Sequence, residues 1–304
     1  MLKGEKLYFR SNGKLLITSE YLVLDGAEAL ALPTKKGQTL TVSKIGNDNI
    51  IWKSLTVDNN IWFECELDNS FEIISSSDTK IANTLSIFLK VSSFMNPNFT
   101  DEARGTEVET KLEFDQSWGL GSSSTLISNI AQWAKVDPFA LQQETFPGSG
   151  YDIACALSKS PIVYRIHQRE VGYSTTKFNP EFADEIFFIH LNKKQNSRDG
   201  IQKYRESESD KPLAIEGASI FTEKFITCNN VNEFRKLMAQ HELLISKIID
   251  ETPVKQRLFP DYRGSIKSLG AWGGDFVMAV GYNTKDYFKN KGYKTIISFK
   301  EMIL

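Results

Sequence analysis

In EVETKLEF, Val108, Leu112 and Phe114 alternate with charged residues, the period of two that marks a half-buried strand. From Leu126 onward the period changes: Leu126, Ile127, Ile130, Ala131 and Ala134 recur at helical spacing. The segment SWGLGSSS lies between them, so the chain reads strand, glycine-serine loop, helix. Upstream, from Leu7 to Ile74, the pattern is short strands and turns: LYFR, KLLIT, TLTVS, IIWK, and IWFECEL after the turn residues Asp58, Asn59 and Asn60. Ile81, Leu85, Phe88 and Leu89 predict an amphipathic helix over Lys80–Phe94, followed by a turn at MNPNF. Beyond the glycine-serine loop, Gly148 and Gly150 punctuate a second loop and Ile162–Ile166 reads as a strand. Apolar content thins near Phe178 to Asp184 and the strand EIFFIHL begins, which predicts two domains, 1–180 and 181–304. The later part alternates a cation-rich loop and helix (KKQNSRDGIQKYRE), helices over Ala214–Ile226 and Val231–Ile249, a glycine-rich turn at KSLGAWGGDF between two strands, and a last strand over Lys294–Phe299. The chain shows no internal repeat, low-complexity tract or coiled coil.

Composition narrows the function. A chain of 304 residues with 41% hydrophobic and 24% charged positions has the profile of a globular protein long enough for two cores. Its net charge of -2 supplies no basic footprint, so neither nucleic acid nor a membrane surface is an expected partner. No window approaches the roughly 20 apolar residues of a membrane span. Cys65, Cys155 and Cys228 form no CxxC pair, which argues against a disulfide framework or a thiolate zinc site and fits a cytoplasmic location. His241 falls in line with Phe234, Met238 and Ile245, the position of a packed histidine rather than of a base or ligand.

The chemistry concentrates in the glycine-serine loop. Gly119 and Gly121 permit backbone dihedrals closed to other residues, and the free N–H groups of a first helical turn attract anions, phosphate above all. Ser122, Ser123 and Ser124 add hydroxyls, one of which is able to hold a metal ion as the Ser or Thr of other phosphate loops does. The simpler alternative is a serine N-cap. Asp152 is the one carboxylate in a glycine-flanked, otherwise apolar stretch, as a held general base requires; the alternative is a helix cap. Lys14 alone reads as a surface lysine at a strand start. Lys193, Lys194, Arg198 and Lys203 alone read as a solvated face.

Three stretches, GKLLITSEYLVLDG, WGLGSSSTLI and KSLGAWGGDF, stand in the order and spacing of the three motifs of the GHMP small-molecule kinases, and the chain resembles that family from Gly13 to Val280. The resemblance implies a two-domain α+β GHMP kinase fold, with which the order of strands and helices agrees: an N-terminal ATP-binding domain with a left-handed βαβ crossover, and a ferredoxin-like C-terminal domain, with the active site in the cleft between them. It implies transfer of the ATP γ-phosphoryl group, assisted by Mg²⁺, to a small anionic acceptor. Within the family the likeness is to the mevalonate and phosphomevalonate kinases: GSGYDIACA resembles the loop of their catalytic aspartate, while Tyr21 and Asp275 favour the phosphomevalonate enzymes and the chain length favours mevalonate kinases.

Carried over residue by residue, the resemblance makes Asp152 and Lys14 catalytic, with Glu20 as the partner of Lys14. It places the ATP phosphates on Gly119, Leu120, Gly121, Ser122, Ser123 and Ser124. Acceptor binding falls to Glu20, Ser149, Gly150, Lys194, Arg198 and the turn Gly270, Ala271, Gly273 and Gly274. Three departures stand out. Trp272 replaces a motif glycine and narrows that loop, the customary proline before the second motif is missing, and Leu141, Gln142 and Gln143 occupy the neighbourhood of a magnesium-binding glutamate, with Glu144 offset. Ser123 is therefore the metal candidate. Rival readings are a diphosphomevalonate decarboxylase, a homoserine or sugar kinase, and a nucleotide-binding regulator without catalysis; the expected assembly is a monomer or homodimer.

Overall fold

Strand β6 (Thr106–Leu112) buries Thr106, Val108, Thr110 and Leu112 and turns Glu107, Glu109 and Lys111 outward, the alternation its sequence predicts. It belongs to a computed structural model that describes residues 6–168, 170–193, 197–207, 210–272 and 274–304, with 197–199 described as backbone only. The chain divides into two compact units. The first comprises residues up to 13, 36–116 and 121–157; the second comprises 14–35, 117–120 and 158–304. The chain thus crosses between the units several times, and the boundary expected at 180/181 lies within the second.

Strands β1 (Lys6–Leu16) and β2 (Ala29–Lys44) contribute to both units; β3 (Ile50–Leu55), β4 (Ile61–Leu67) and β5 (Ile73–Ser76) belong to the first. The order there is β5-β4-β3-β6-β2, antiparallel except for the parallel β3–β6 pair. Helices α1 (Thr79–Met95), α2 (Asn98–Ala103), α3 (Ser122–Ala134), α4 (Pro138–Thr145) and α5 (Tyr151–Leu157) complete it. Leu85 and Leu89 of α1 and Ile127, Ile130 and Trp133 of α3 share one core with Val42, Trp52, Phe63 and Val108 of the sheet. Burying side chains of this size stabilises by about 1.5–3 kcal/mol each.

Several elements differ from the sequence reading, each for a local reason. LYFR and KLLIT form one strand, β1, which pairs with β2. Gly37 of β2 approaches β1 so closely that a Cβ there would stand 2.1 Å from the Ser11 carbonyl oxygen. MNPNF opens α2 rather than only turning, since Pro97, at φ -58°, already has the helical dihedral. Asp137 caps α4 by accepting from the Phe139 and Ala140 amides, a cap and Pro138 start that low hydrophobic periodicity concealed.

In the second unit, Ala29–Ala31 of β2 pair with β7 (Ile162–His167), which pairs with β8 (Glu170–Thr175). All of β8 is exposed, so no apolar alternation announces it. Next come β9 (Ile186–His190), α6 (Ser197–Glu206), α7 (Lys211–Thr227), α8 (Val231–Ile249), α9 (Val254–Leu258), β10 (Ser265–Ser268), β11 (Phe276–Val280), α10 (Thr284–Asn290), β12 (Ile296–Ser298) and α11 (Phe299–Met302). Their sheet runs β10-β11-β9-β12, antiparallel throughout, the split βαβ arrangement of a ferredoxin-like unit. Phe234, Met238, His241 and Ile245 of α8 are all fully buried, as their spacing predicts. No helix among the described residues is long and apolar enough to cross a membrane.

The close approach at Gly37 yields a paired test. Gly37→Ala should destabilise the chain by about 2 kcal/mol or more. Gly46→Ala, whose Cβ would meet nothing within 4 Å, should stay within about 0.5 kcal/mol of the parent in denaturant midpoint. Equal midpoints would contradict the β1–β2 packing.

Candidate active site

Helix α3 starts on Gly121, which takes the left-handed region at φ 86°. No side chain caps it; the first intrahelical bond runs from the Thr125 amide to the Gly121 carbonyl at 3.0 Å. The serine N-cap reading is thereby replaced: a glycine holds the cap position, and the first-turn amides of Ser122, Ser123 and Ser124 stand at the positive end of a 13-residue helix. Ser123 is exposed and Ser124 is buried. The Ser124 hydroxyl donates to Asp152 Oδ2, and Gln142 Nε2 donates to Asp152 Oδ1 at 3.2 Å. Asp152 itself sits in the first turn of α5, just after Gly150 at φ 85°, whose carbonyl receives the Ala154 amide at 3.0 Å. Its carboxylate is therefore held by side chains from α3 and α4 and keeps acceptor capacity on both oxygens. Gln142 was not predicted as a site residue; the only sequence signal was its place where the resemblance expects a glutamate. Its amide orients Asp152 and carries no charge for a cation. Ser149 is half-buried in the loop before α5.

In the second unit, Lys14 of β1 donates its amide to the Leu120 carbonyl at 3.1 Å and its Nζ to the Gly119 carbonyl at 3.0 Å. Gly119 lies at φ 65°, and a Cβ on it would stand 2.3 Å from Asp275 Oδ2, so only glycine lets that carboxylate lie here. Asp275 is fixed in turn by its backbone, accepting from the Leu191 amide at 2.8 Å and donating to the Lys193 carbonyl at 2.7 Å. His190 Nε2 meets the Ser117 carbonyl at 3.0 Å, and Trp118 sets its edge on Phe276 at 5.5 Å. These contacts tie Ser117–Leu120 to the ends of β9 and β11. In the second glycine turn, Gly270 has φ 60° with open space beside it, Ala271 is half-buried and Gly274 is buried. Trp272, at φ 50°, is turned into a core cluster with Tyr21, Tyr204, Ile245 and Ile248. Its ring is packed inward at the loop it was expected to narrow. Lys194, Gly273 and the Arg198 side chain lie outside the described residues.

Solved structures similar over nearly the whole chain include small-molecule kinases. The Methanococcus jannaschii mevalonate kinase shares 16% identity, covers 97% of this chain and 98% of its own, and superposes with a TM-score of 0.71. The Streptococcus pneumoniae phosphomevalonate kinase, solved with phosphomevalonate and AMPPNP, shares 13% over 96% of this chain and 99% of its own, at 0.70. The Lactococcus lactis galactokinase, solved with galactose, shares 14% over 97% and 93%, at 0.71. The chain has the GHMP kinase fold. Neither a protein-family model nor a curated protein matches the sequence.

Within this GHMP fold, Glu20 occupies a different place from the one the motif resemblance assigned. It is wholly buried, and its Oε1 pairs with Lys267 of β10, itself wholly buried, so it offers no surface to an acceptor. His241 Nε2 lies 3.7 Å from Glu20 Oε2 and accepts the Ser19 amide at 2.9 Å, which makes it a neutral, structural imidazole. Glu242 accepts from the Ser268 amide at 2.9 Å and from its hydroxyl at 2.8 Å. Sequence periodicity identified this face of α8 but carried no sign that Lys267 would meet Glu20 across a separation of 247 residues. Burial pushes the Glu20 carboxyl up to about 7 against the pull of Lys267, and burial with Lys267 pushes His241 well below its ordinary value. Burial likewise raises Glu242.

A carboxyl that binds its proton more tightly in the fold than in the unfolded chain, where its value is 4.5, favours the fold fully below that pH and loses the contribution as pH rises to about 7. His241 acts in the opposite sense, since charging it at low pH opposes burial. The difference between parent and Glu20→Gln isolates the carboxyl: the parent should lose melting temperature relative to the variant between pH 5 and 7. A pH-independent difference would refute the coupling. Lys267→Met, which leaves two buried carboxyls without their cation, should cost about 3–5 kcal/mol in denaturant unfolding.

Proposed function

We propose that this chain is an ATP-dependent phosphotransferase that acts on a small anionic acceptor, with mevalonate or phosphomevalonate as the leading candidates. The observation that supports it best is the coupling of an uncapped helix start to a fixed carboxylate: Ser124, in the first turn of α3, donates to Asp152. Phosphoryl transfer requires positioning and charge neutralisation more than covalent participation by the protein. In this reading the α3 amides and Gly119–Ser124 bind the ATP phosphates, and Lys14 offsets charge on the moving phosphoryl group. Asp152 takes the acceptor proton as the acceptor oxygen bonds to the γ-phosphorus and the bond to the β-phosphate oxygen breaks, releasing ADP. Where the acceptor oxygen is already an anionic phosphate, Asp152 orients it instead. Gly270, Ala271 and Gly274, with Gly273, Lys194 and Arg198, are assigned to the acceptor.

The oxygen donors present fit magnesium. Magnesium characteristically takes one or two protein oxygens together with nucleotide phosphates, and the hydroxyls of Ser122 and Ser123 stand at the α3 start assigned to those phosphates. The exposed Ser123 hydroxyl is its ligand in this reading. Held there, the ion would supply neutralisation of the phosphate charge. A cytoplasmic monomer or homodimer suits this role. A nucleotide-binding regulator without catalysis is the second reading, favoured by Gln142 in place of an acidic side chain beside Asp152.

ATP consumption tested against mevalonate, phosphomevalonate, homoserine and several sugars, with product analysis, decides between these readings. Asp152→Asn should lower turnover by roughly 10²-fold or more while ATP affinity stays near the parent's; full turnover in the variant would remove the base from the scheme. Ser123→Ala should shift the magnesium dependence of ATP binding to higher concentration, and an unchanged titration would exclude that ligand.

A further inference from the structure

Asp275, the residue before β11, has φ 49°, in the left-handed region that is costly for residues with a side chain and least so for Asn and Asp. Two backbone bonds hold it there: its amide donates to the Lys193 carbonyl at 2.7 Å, and its carbonyl accepts from the Leu191 amide at 2.8 Å. Strain of this kind persists only where the surroundings fix it, and it gathers at functional sites. The fixed backbone carries the carboxylate to Gly119, where both oxygens and Cγ lie within 2.9 Å of the place a Cβ would take. Gly119 also meets a cation, since Lys14 Nζ donates to its carbonyl at 3.0 Å. All of these residues belong to the second unit. Packing alone does not call for an acid at this position, because Asn has the same shape and tolerates the same φ. What Asp adds is a negative charge.

A negative charge beside a loop that receives phosphates repels a bare polyphosphate and is tolerated when a divalent cation accompanies it. We propose that Asp275 makes nucleotide binding metal-dependent: its carboxylate disfavours metal-free ATP at Gly119 and admits the magnesium complex, whose phosphate charge is partly cancelled. Asp275 needs no bond to the ion for this, since it acts through the field at the loop. Lys14 attracts either form of the nucleotide, and Asp275 supplies the repulsive element that separates them. The inference rests on the proposed function, in which Gly119–Ser124 hold the phosphates, and adds to it the residue that selects the form of the nucleotide.

The test is isothermal titration of the full chain with ATP, once in excess Mg²⁺ and once in EDTA. The parent should bind MgATP about tenfold or more tighter than metal-free ATP. Asp275→Asn removes the charge and keeps the shape, so it should strengthen metal-free ATP by about fivefold or more and leave MgATP within about twofold of the parent. A side chain that served only to build the loop would, when replaced, weaken both forms alike. Asp275→Gly, which takes a positive φ without strain, removes the same charge and should move the ratio in the same direction. Melting midpoints check that each variant is folded. The proposal is overturned if the parent binds both forms equally, if Asp275→Asn leaves the ratio unchanged, or if it weakens metal-free ATP. MgATP binding with an unchanged ratio in the variants overturns this proposal alone and leaves the kinase reading intact; a parent that binds ATP under neither condition overturns the kinase reading and this proposal with it.

Discussion

A helix that opens on glycine supplies no side-chain oxygen to its own first amides, so those donors remain for something else to satisfy. In α3 that constraint organises the surrounding residues. Ser124 is free to donate to Asp152 because it does not serve as a cap, and Gln142 completes the hold on the same carboxylate. The proposed phosphoryl transfer rests on this pairing of a helix N-terminus with a fixed acid. Gly119 and Gly121 are required for backbone reasons: both have positive φ, and at Gly119 a side chain would also collide with Asp275.

The second unit relies on a different economy. Glu20, Lys267, His241 and Glu242 are buried together, and such a group contributes little net stability because desolvation offsets the attraction between its charges. What it supplies is register. Lys267 and Ser268 of β10 are joined to α8 through Glu242 and to the segment preceding Tyr21 through Glu20, so the strand leading into the second glycine turn has one preferred position. Trp272 extends this by filling the core beside Tyr21 with a large ring where a motif glycine would leave space.

The pattern of apolar residues was sufficient to locate β6, the helical run of α3, and α8 with its buried face, because each depends on local periodicity against one core. It also singled out Asp152 and the glycine-serine loop, since glycines and a lone carboxylate in an apolar stretch are visible without a fold. Elements with no such signature were missed or misdrawn: β8 is exposed along its whole length, α4 rests on its cap, and β1 runs as one strand through the two segments read separately.

The sequence by itself determined which segments become strands and helices and where backbone freedom is concentrated, since these follow from short-range dihedral preference and hydrophobic period. Tertiary structure alone decided the partners. Glu20 met Lys267 rather than Lys14, Gln142 was brought to Asp152, and Lys203 and Arg257 were gathered around Glu251, because pairing among charged side chains depends on which surfaces the folded chain brings together and excludes from water.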